Sequence, residues 1–202
     1  MTDPRQANQS NTPADKPVAE SIGWQPISTE YPFRSPWFSL RSDRVKAPAS
    51  DEPLRYSYVE HPGSVFIVPV TPDGNVLLIR SYRYPIDAHC WEVPAGQLQH
   101  GKSPADSARA ELLEELGATC ERLEEITVLQ LANGFAAARS HFFLATGVRV
   151  ESPPLLEPGE SIQRTAAVPL PEAISMLTAE AQDGDSALAV LLAAHHLGEP
   201  TR

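Results

Sequence analysis

The stretch from Trp91 to Ala118, WEVPAGQLQHGKSPADSARAELLEELGA, reads as a strand, a glycine-containing loop and a short helix with a concentrated acidic face. Local chemistry sets both ends of that helix. Ser103 is a capping side chain, Pro104 suits the first helical position, and Asp106 stands where a capping-box acid belongs. Gly117 supplies the stop, because it enters the left-handed conformation without a Cβ penalty. Ala105, Ala108, Leu112 and Leu116 recur at helical spacing and predict one apolar stripe packed on a sheet. Glu111, Glu114 and Glu115 fall at i, i+3 and i+4 on a neighbouring face.

A face of this kind is ordinarily a solvated surface, yet here it is costly when nothing binds it. Glu111 and Glu115 form a like-charge i,i+4 pair, unfavourable by roughly 0.2–0.5 kcal/mol in an isolated helix. All of these acids lie in the second half of the helix, where the macrodipole disfavours negative charge. No Lys or Arg stands four residues from any of them. A divalent cation would relieve the repulsion, since hard cations take carboxylate oxygens and keep positions for substrate phosphates.

The spacing resembles the signature of the Nudix hydrolases: Gly, five residues, Glu, seven residues, then Arg-Glu-aliphatic-any-Glu-Glu-any-Gly-aliphatic. On this chain it falls on Gly96, Lys102, Ala110, Glu111, Leu112, Glu114, Glu115, Gly117 and Ala118. The preceding WEVPAG looks like the lead-in of ADP-ribose pyrophosphatase-type members. Two positions depart from the pattern: Lys102 replaces the family Glu, and Ala110 replaces the Arg understood to brace the catalytic carboxylates. Arg109 comes one residue early and is expected to project about 100° away, toward the apolar side. Lost support around metal ligands typically costs about 10–100-fold in metal affinity or activity.

Composition bounds the remaining possibilities. The chain has 202 residues, enough for one domain with a real core plus an extension. Its formal net charge of −10 offers no basic stripe for a nucleic-acid backbone. A small anionic substrate stays compatible, because a bound metal sets the local sign. No apolar run reaches membrane-spanning length, and the polar N-terminus lacks a signal-peptide segment. Cys90 and Cys120 have neither zinc-site nor CxxC spacing and are expected as buried thiols, with the cytoplasm as the default compartment.

Around the central stretch, residues 1–22 have the composition of a disordered leader. Residues 23–58 carry spaced aromatics and read as two or three strands, followed by the main domain over 59–198. Ser64–Val70 and Val76–Tyr82 are apolar strands joined by the turn Pro72-Asp73-Gly74-Asn75. Strands are expected at 126–132, 141–145 and 166–170, and helices at 171–178 and 186–197. His195 and His196 read as a helix terminus with favourable dipole interactions.

The resemblance implies an α/β fold, an α/β/α sandwich with a mixed sheet behind a small N-terminal strand region. It implies hydrolysis of a nucleoside diphosphate linked to another moiety, with Mg²⁺ as cofactor, Mn²⁺ as the alternative, and a homodimer. Glu111 and Glu115 are the implied principal metal ligands, with Glu114 as a shared ligand or water-orienting acid and the Ala95 carbonyl as a further ligand. The general base is expected in the loop after the motif, at Glu160 first and at Glu157 otherwise. Arg83, in Tyr82-Arg83-Tyr84-Pro85, resembles a segment that brings an Arg near substrate, against the alternative of a surface ion pair. Trp24 and Gly96 complete the expected substrate-binding set. The loop 132–138 lacks the Pro and acid that mark ADP-ribose-type members, so ADP-ribose and other nucleotide sugars or dinucleotides all fit the machinery. A catalytically weakened domain that binds a nucleotide as a sensor is the competing reading.

Overall fold

Alternation along two neighbouring strands organises the main unit. The computed structural model describes residues 16–156, 159, 161–179 and 182–199. The elements, in order, are α1 (Pro17–Ser21), β1 (Gln25–Arg34), β2 (Ser39–Lys46), β3 (Leu54–Glu60), β4 (Ser64–Val70), β5 (Asn75–Arg83), β6 (Ala88–Glu92) and β7 (Ala95–Gln97). There follow α2 (Pro104–Leu116), β8 (Ala118–Thr119), β9 (Arg122–Leu129), β10 (Ala136–Ala137), β11 (Ser140–Thr146), β12 (Arg149–Val150), β13 (Ile162–Pro169), α3 (Leu170–Leu177) and α4 (Gly184–Leu197). On β4 and β5, Val65, Ile67, Leu77 and Ile79 pack with Ala108, Leu112 and Leu116 of α2. Their neighbours Phe66, Val68, Val76 and Leu78 pack with α3 and α4 through Ile174, Leu177, Val190 and Ala194. Period-two alternation therefore builds a sheet covered on both faces, an α/β/α sandwich.

The sheet order is β13-β5-β4-β11-β9, with β11 parallel to β4 and the other neighbours antiparallel. β4 and β5 meet at Val70 and Val76 and then take different partners: β6 pairs β5, and β7 pairs β4. The Pro94 carbonyl accepts from Ile67 N–H at 2.9 Å, so the segment Trp91–Gln97 crosses from one strand to the other. This divergence brings the main chain at Ala95 and Gly96 up to α2, with Gly96 facing the helix and the Ala95 side chain packing on the core beneath α3 and α4.

The caps of α2 follow the expected chemistry. Ser103 accepts from Asp106 N–H at 3.1 Å, and Gly117 ends the helix at φ 62°. A Cβ on Gly117 would meet the Ser152 carbonyl oxygen at 1.9 Å, which makes glycine the residue for that stop. The expected stripe differs at its first position: Ala105 is exposed and Ser107 is buried instead, its hydroxyl accepting from Gln99 N–H at 3.3 Å. Arg109 is exposed and donates to Cys120 Sγ, so it does not turn into the apolar face as expected.

A second unit comprises residues 1–62 together with 132–138, and the sandwich comprises 63–131 with 139–202. In the former, β1, β2 and β3 form an antiparallel sheet, and β10 adds to β3 in parallel through Val59 and Glu60. The strand expected at 126–132 runs over Arg122–Leu129 instead, because it is set by antiparallel pairing with β11 from Ser140↔Leu129 to Thr146↔Arg122. The leader expected to extend to residue 22 contains the helical turn Pro17–Ser21, while residues 1–15 lie outside the described residues. Among the described residues, no helix is long and apolar enough to cross a membrane.

Candidate active site

Two carboxylates of α2 converge on the main chain of Ala95 and Gly96. A Cβ built on Gly96 would lie 2.0 Å from Glu111 Oε1 and 2.5 Å from Oε2, so the Glu111 carboxylate occupies the space that a side chain at 96 would need. Glu115 Oε2 accepts from Ala95 N–H at 2.9 Å. Both acids are buried. The signature spacing thus has a direct physical basis: the glycine leaves room for one acid, and the neighbouring amide holds the other. Glu114 is half-buried, and its main-chain carbonyl accepts from Leu155 N–H at 2.7 Å.

A third buried acid lies on a neighbouring strand. Glu92, at the end of β6, is 2% exposed and takes a two-pronged hydrogen bond from Arg83 on β5, Nε to Oε1 at 2.8 Å and an NH2 to Oε2. Arg83 is itself exposed, so the surface ion pair weighed from the sequence exists, but its acid is buried. Hydrogen bonding to Glu92 holds the Arg83 pKa above its ordinary value, against the opposing effect of burial, and the fields of Glu92, Glu115 and Asp183 add to it. The start of α4 fixes the same segment from the opposite face: Gln182 Oε1 accepts from Trp91 N–H at 2.8 Å and Ser186 Oγ from Val93 N–H at 3.1 Å. Asp183 caps that helix by accepting from Ser186 N–H.

Glu92, Gln182 and Ser186 were not singled out from the sequence. Glu92 alone carried a signal, as a charged residue between the apolar residues Trp91 and Val93. Lys102 is exposed in the loop before α2 and Ala110 is half-buried on it. Glu157 and Glu160, the expected bases, lie outside the described residues.

Trp24 belongs to the N-terminal unit, where it lines a cavity of about 390 Å³ with Lys16, Asp43, Tyr56, Tyr58 and Phe135. Lys16 Nζ stands 4.7 Å above the Tyr58 ring, and Tyr58 donates to Asp43 Oδ2 at 3.3 Å. Asp43 also accepts from Thr29 and from Arg41, whose NH1 reaches Glu60 at 2.7 Å. Burial raises the Asp43 pKa, but the hydrogen bonds from Arg41 and Thr29 outweigh it and leave the carboxyl below its ordinary value.

The donor set suits a hard divalent cation. Glu111 and Glu115 offer carboxylate oxygens, and the main chain at Ala95 offers a carbonyl. Among the described residues, no group of three or more His, Cys, Asp or Glu side chains gathers into a metal-holding cluster.

Comparison with known proteins agrees with this geometry. Residues 60–191 match the NUDIX domain. An ADP-ribose pyrophosphatase of Bacillus subtilis (strain 168) is 33% identical over 131 residues, 65% of this chain and 70% of that protein. An ADP-ribose pyrophosphatase of Mycobacterium tuberculosis (strain ATCC 25618 / H37Rv) is 31% identical over 173 residues, 85% of this chain and 83% of that protein. A crystal structure of an ADP compounds hydrolase superposes with a TM-score of 0.71 at 22% identity, covering 86% of this chain and 95% of the other, which speaks to the fold. With its two acids closed onto Ala95 and Gly96 and the domain match spanning most of its length, the chain belongs to the Nudix hydrolase family.

Proposed function

We propose that this Nudix hydrolase cleaves the diphosphate of a nucleoside diphosphate joined to a second moiety, with ADP-ribose as the substrate and Mg²⁺ as the cofactor. The observation that carries the reading is the convergence of buried Glu111 and Glu115 on Ala95 and Gly96. These residues would hold the cation, with Glu114 as a further acid. When bound, such a cation neutralises diphosphate charge and lowers the pKa of a coordinated water.

The chain's own residues account for the remaining work. Glu160 takes the proton of the attacking water, with Glu157 as the alternative. The water oxygen bonds to phosphorus, the bond from phosphorus to the bridging oxygen breaks, and two phosphate monoesters leave. Arg83 commits two of its five N–H donors to Glu92 and has others to offer a phosphate oxygen. A nucleobase is a planar π-system, and the cavity around Trp24, Tyr56 and Tyr58 suits stacking. ADP-ribose is favoured because both relatives described above carry that substrate in their names.

We also read the enzyme as a cytoplasmic homodimer. Cys90 and Cys120 form no disulfide, the state a reducing compartment maintains. Exposed Phe33, Trp37 and Phe38 gather near the turn between β1 and β2, an apolar patch of the kind that pairs subunits.

The test is a hydrolysis screen of the purified chain over ADP-ribose, other nucleotide sugars and dinucleotides, with and without Mg²⁺. Turnover of ADP-ribose that needs Mg²⁺, is abolished in Glu111→Gln and falls about 10²–10⁴-fold in Glu160→Gln is expected. Binding of ADP-ribose without turnover by the wild type would instead support the nucleotide-sensing domain.

A further inference from the structure

Three side chains line up across β13, β5 and β6. Arg164 is opposite Arg80, and Arg80 is opposite Trp91. One step along, Ile79 is opposite Glu92, and Ile79 packs with α2. Trp91 packs instead with the core beneath α3 and α4. The row therefore lies on the face that carries α3 and α4, with the sheet between it and Glu111 and Glu115.

Both guanidiniums point to one indole. Arg164 Cζ is 5.0 Å and Arg80 Cζ 6.0 Å from the Trp91 ring centroid. Like charges directly opposite on adjacent strands repel each other. Yet neither arginine forms an ion pair with any described residue, and Arg80 Nε is buried without a hydrogen-bond partner. The indole face offsets part of the charge but accepts no directed hydrogen bond in place of an anion. A buried, unsatisfied donor beside a second cation that has no ion-pair partner among the described residues, in a chain of net charge −10, needs a physical reason.

We propose that Arg80 and Arg164, flanking Trp91, form a second anion site that takes a tetrahedral phosphate dianion, on the sheet face opposite the acidic helix. Two guanidinium forks from adjacent strands match the charge and oxygen geometry of that group. The hydrolysis proposed above releases phosphate monoesters, so the site accepts the class of ligand that the enzyme generates. Only this choice of source rests on that reading.

The experiment is calorimetric titration of the full chain with inorganic phosphate, and separately with AMP, in EDTA and at matched ionic strength. Wild type and Glu111→Gln should bind phosphate alike. Arg80→Gln/Arg164→Gln should lose about tenfold or more in affinity, the scale of a lost charge-assisted hydrogen bond. Because Arg80 is partly buried, the exposed single change Arg164→Gln serves as the variant that leaves the core intact, with a loss of several-fold. AMP binding that also weakens in these variants, and is tighter than that of phosphate, assigns the site to a nucleotide ester; equal affinities assign it to free phosphate. Equal phosphate affinity in wild type and the Arg164→Gln and double variants, or no phosphate binding by the wild type, overturns the proposal. Because metal is absent, the result is independent of whether the chain turns over ADP-ribose.

Discussion

Replacing Gly96 by alanine tests the arrangement of the acidic pair with the smallest possible change. The backbone at Gly96 is not in the positive-φ region, so alanine is acceptable there conformationally. The new methyl group would stand 2.0 Å from Glu111 Oε1 and 2.1 Å from its Cδ, whereas ordinary contact begins at 3.4 Å. The carboxylate must retreat by about 1.4 Å, the shortfall between those two distances. It can do so by side-chain rotation. Misplacing a reacting group by about 1 Å can cost ~10²-fold, or about 2.7 kcal/mol in the barrier. Stability should change far less, because alanine stabilises a compatible site by about 0.4–1 kcal/mol and offsets part of the cost of moving Glu111. We expect kcat/KM to fall about 10²-fold and the half-saturating Mg²⁺ concentration to rise, with Tm moving by no more than ~4 °C. The assay is steady-state hydrolysis of ADP-ribose across a Mg²⁺ titration, beside a thermal melt. Gly96→Ala and Glu111→Gln should also be strongly non-additive, since both remove the same carboxylate from its place. Wild-type kcat/KM at limiting Mg²⁺ in Gly96→Ala would refute the reasoning, and so would additive losses in the double variant.

Restoring both departures from the signature, Ala110→Arg with Lys102→Glu, should raise kcat/KM or Mg²⁺ affinity by about 10–100-fold. No gain in kinetics or in metal titration would mean that the Arg83–Glu92 pair already supplies the support. In the N-terminal unit, Asp43 has its folded pKa held below the unfolded value, so its stabilisation is complete above about pH 4 and is lost as pH falls through the depressed value. Denaturant melts of wild type should therefore weaken below about pH 4, and Asp43→Asn should flatten that slope while lowering stability at neutral pH. Parallel slopes for the two proteins would exclude Asp43 as the source.

Elements determined by local chemistry were legible from residue order. Ser103, Pro104 and Gly117 bracket α2 because capping needs only neighbours within a turn, and Pro72–Asn75 marks the β4–β5 turn for the same reason. Where long-range pairing decides, the reading slipped. Arg122–Leu129, RLEEITVL, alternates poorly, and its limits come from β11 rather than from its own pattern. Residues 132–138 read as a substrate-marker loop but provide β10, since Val59 and His61 donate to the Phe135 and Ala137 carbonyls. Ser107 displaced Ala105 from the buried stripe because a small hydroxyl with a partner is as easily buried as a methyl group.

The site divides along the same line. Glu111 and Glu115 were legible because they share one helix, and Ala95 and Gly96 because the signature ties them to it at fixed spacing. Their supports come from distant parts of the chain: Arg83 from β5, Glu92 from β6, Gln182 and Ser186 from the start of α4. Nothing local in the sequence joins these four. The absence of arginine at 110 reads as a loss when α2 is considered alone. In the fold, the Arg83 cation is bound to buried Glu92 and lies within the field of Glu115, so a positive charge from a neighbouring strand acts on one of the two acids. Removing it would leave Glu92 buried without its partner, a change that costs about 3–5 kcal/mol in a fully buried pair and less here because Arg83 is exposed. An arginine on β5 is therefore held in place by its pairing with buried Glu92, a contact made from a different element than half-buried position 110 of α2.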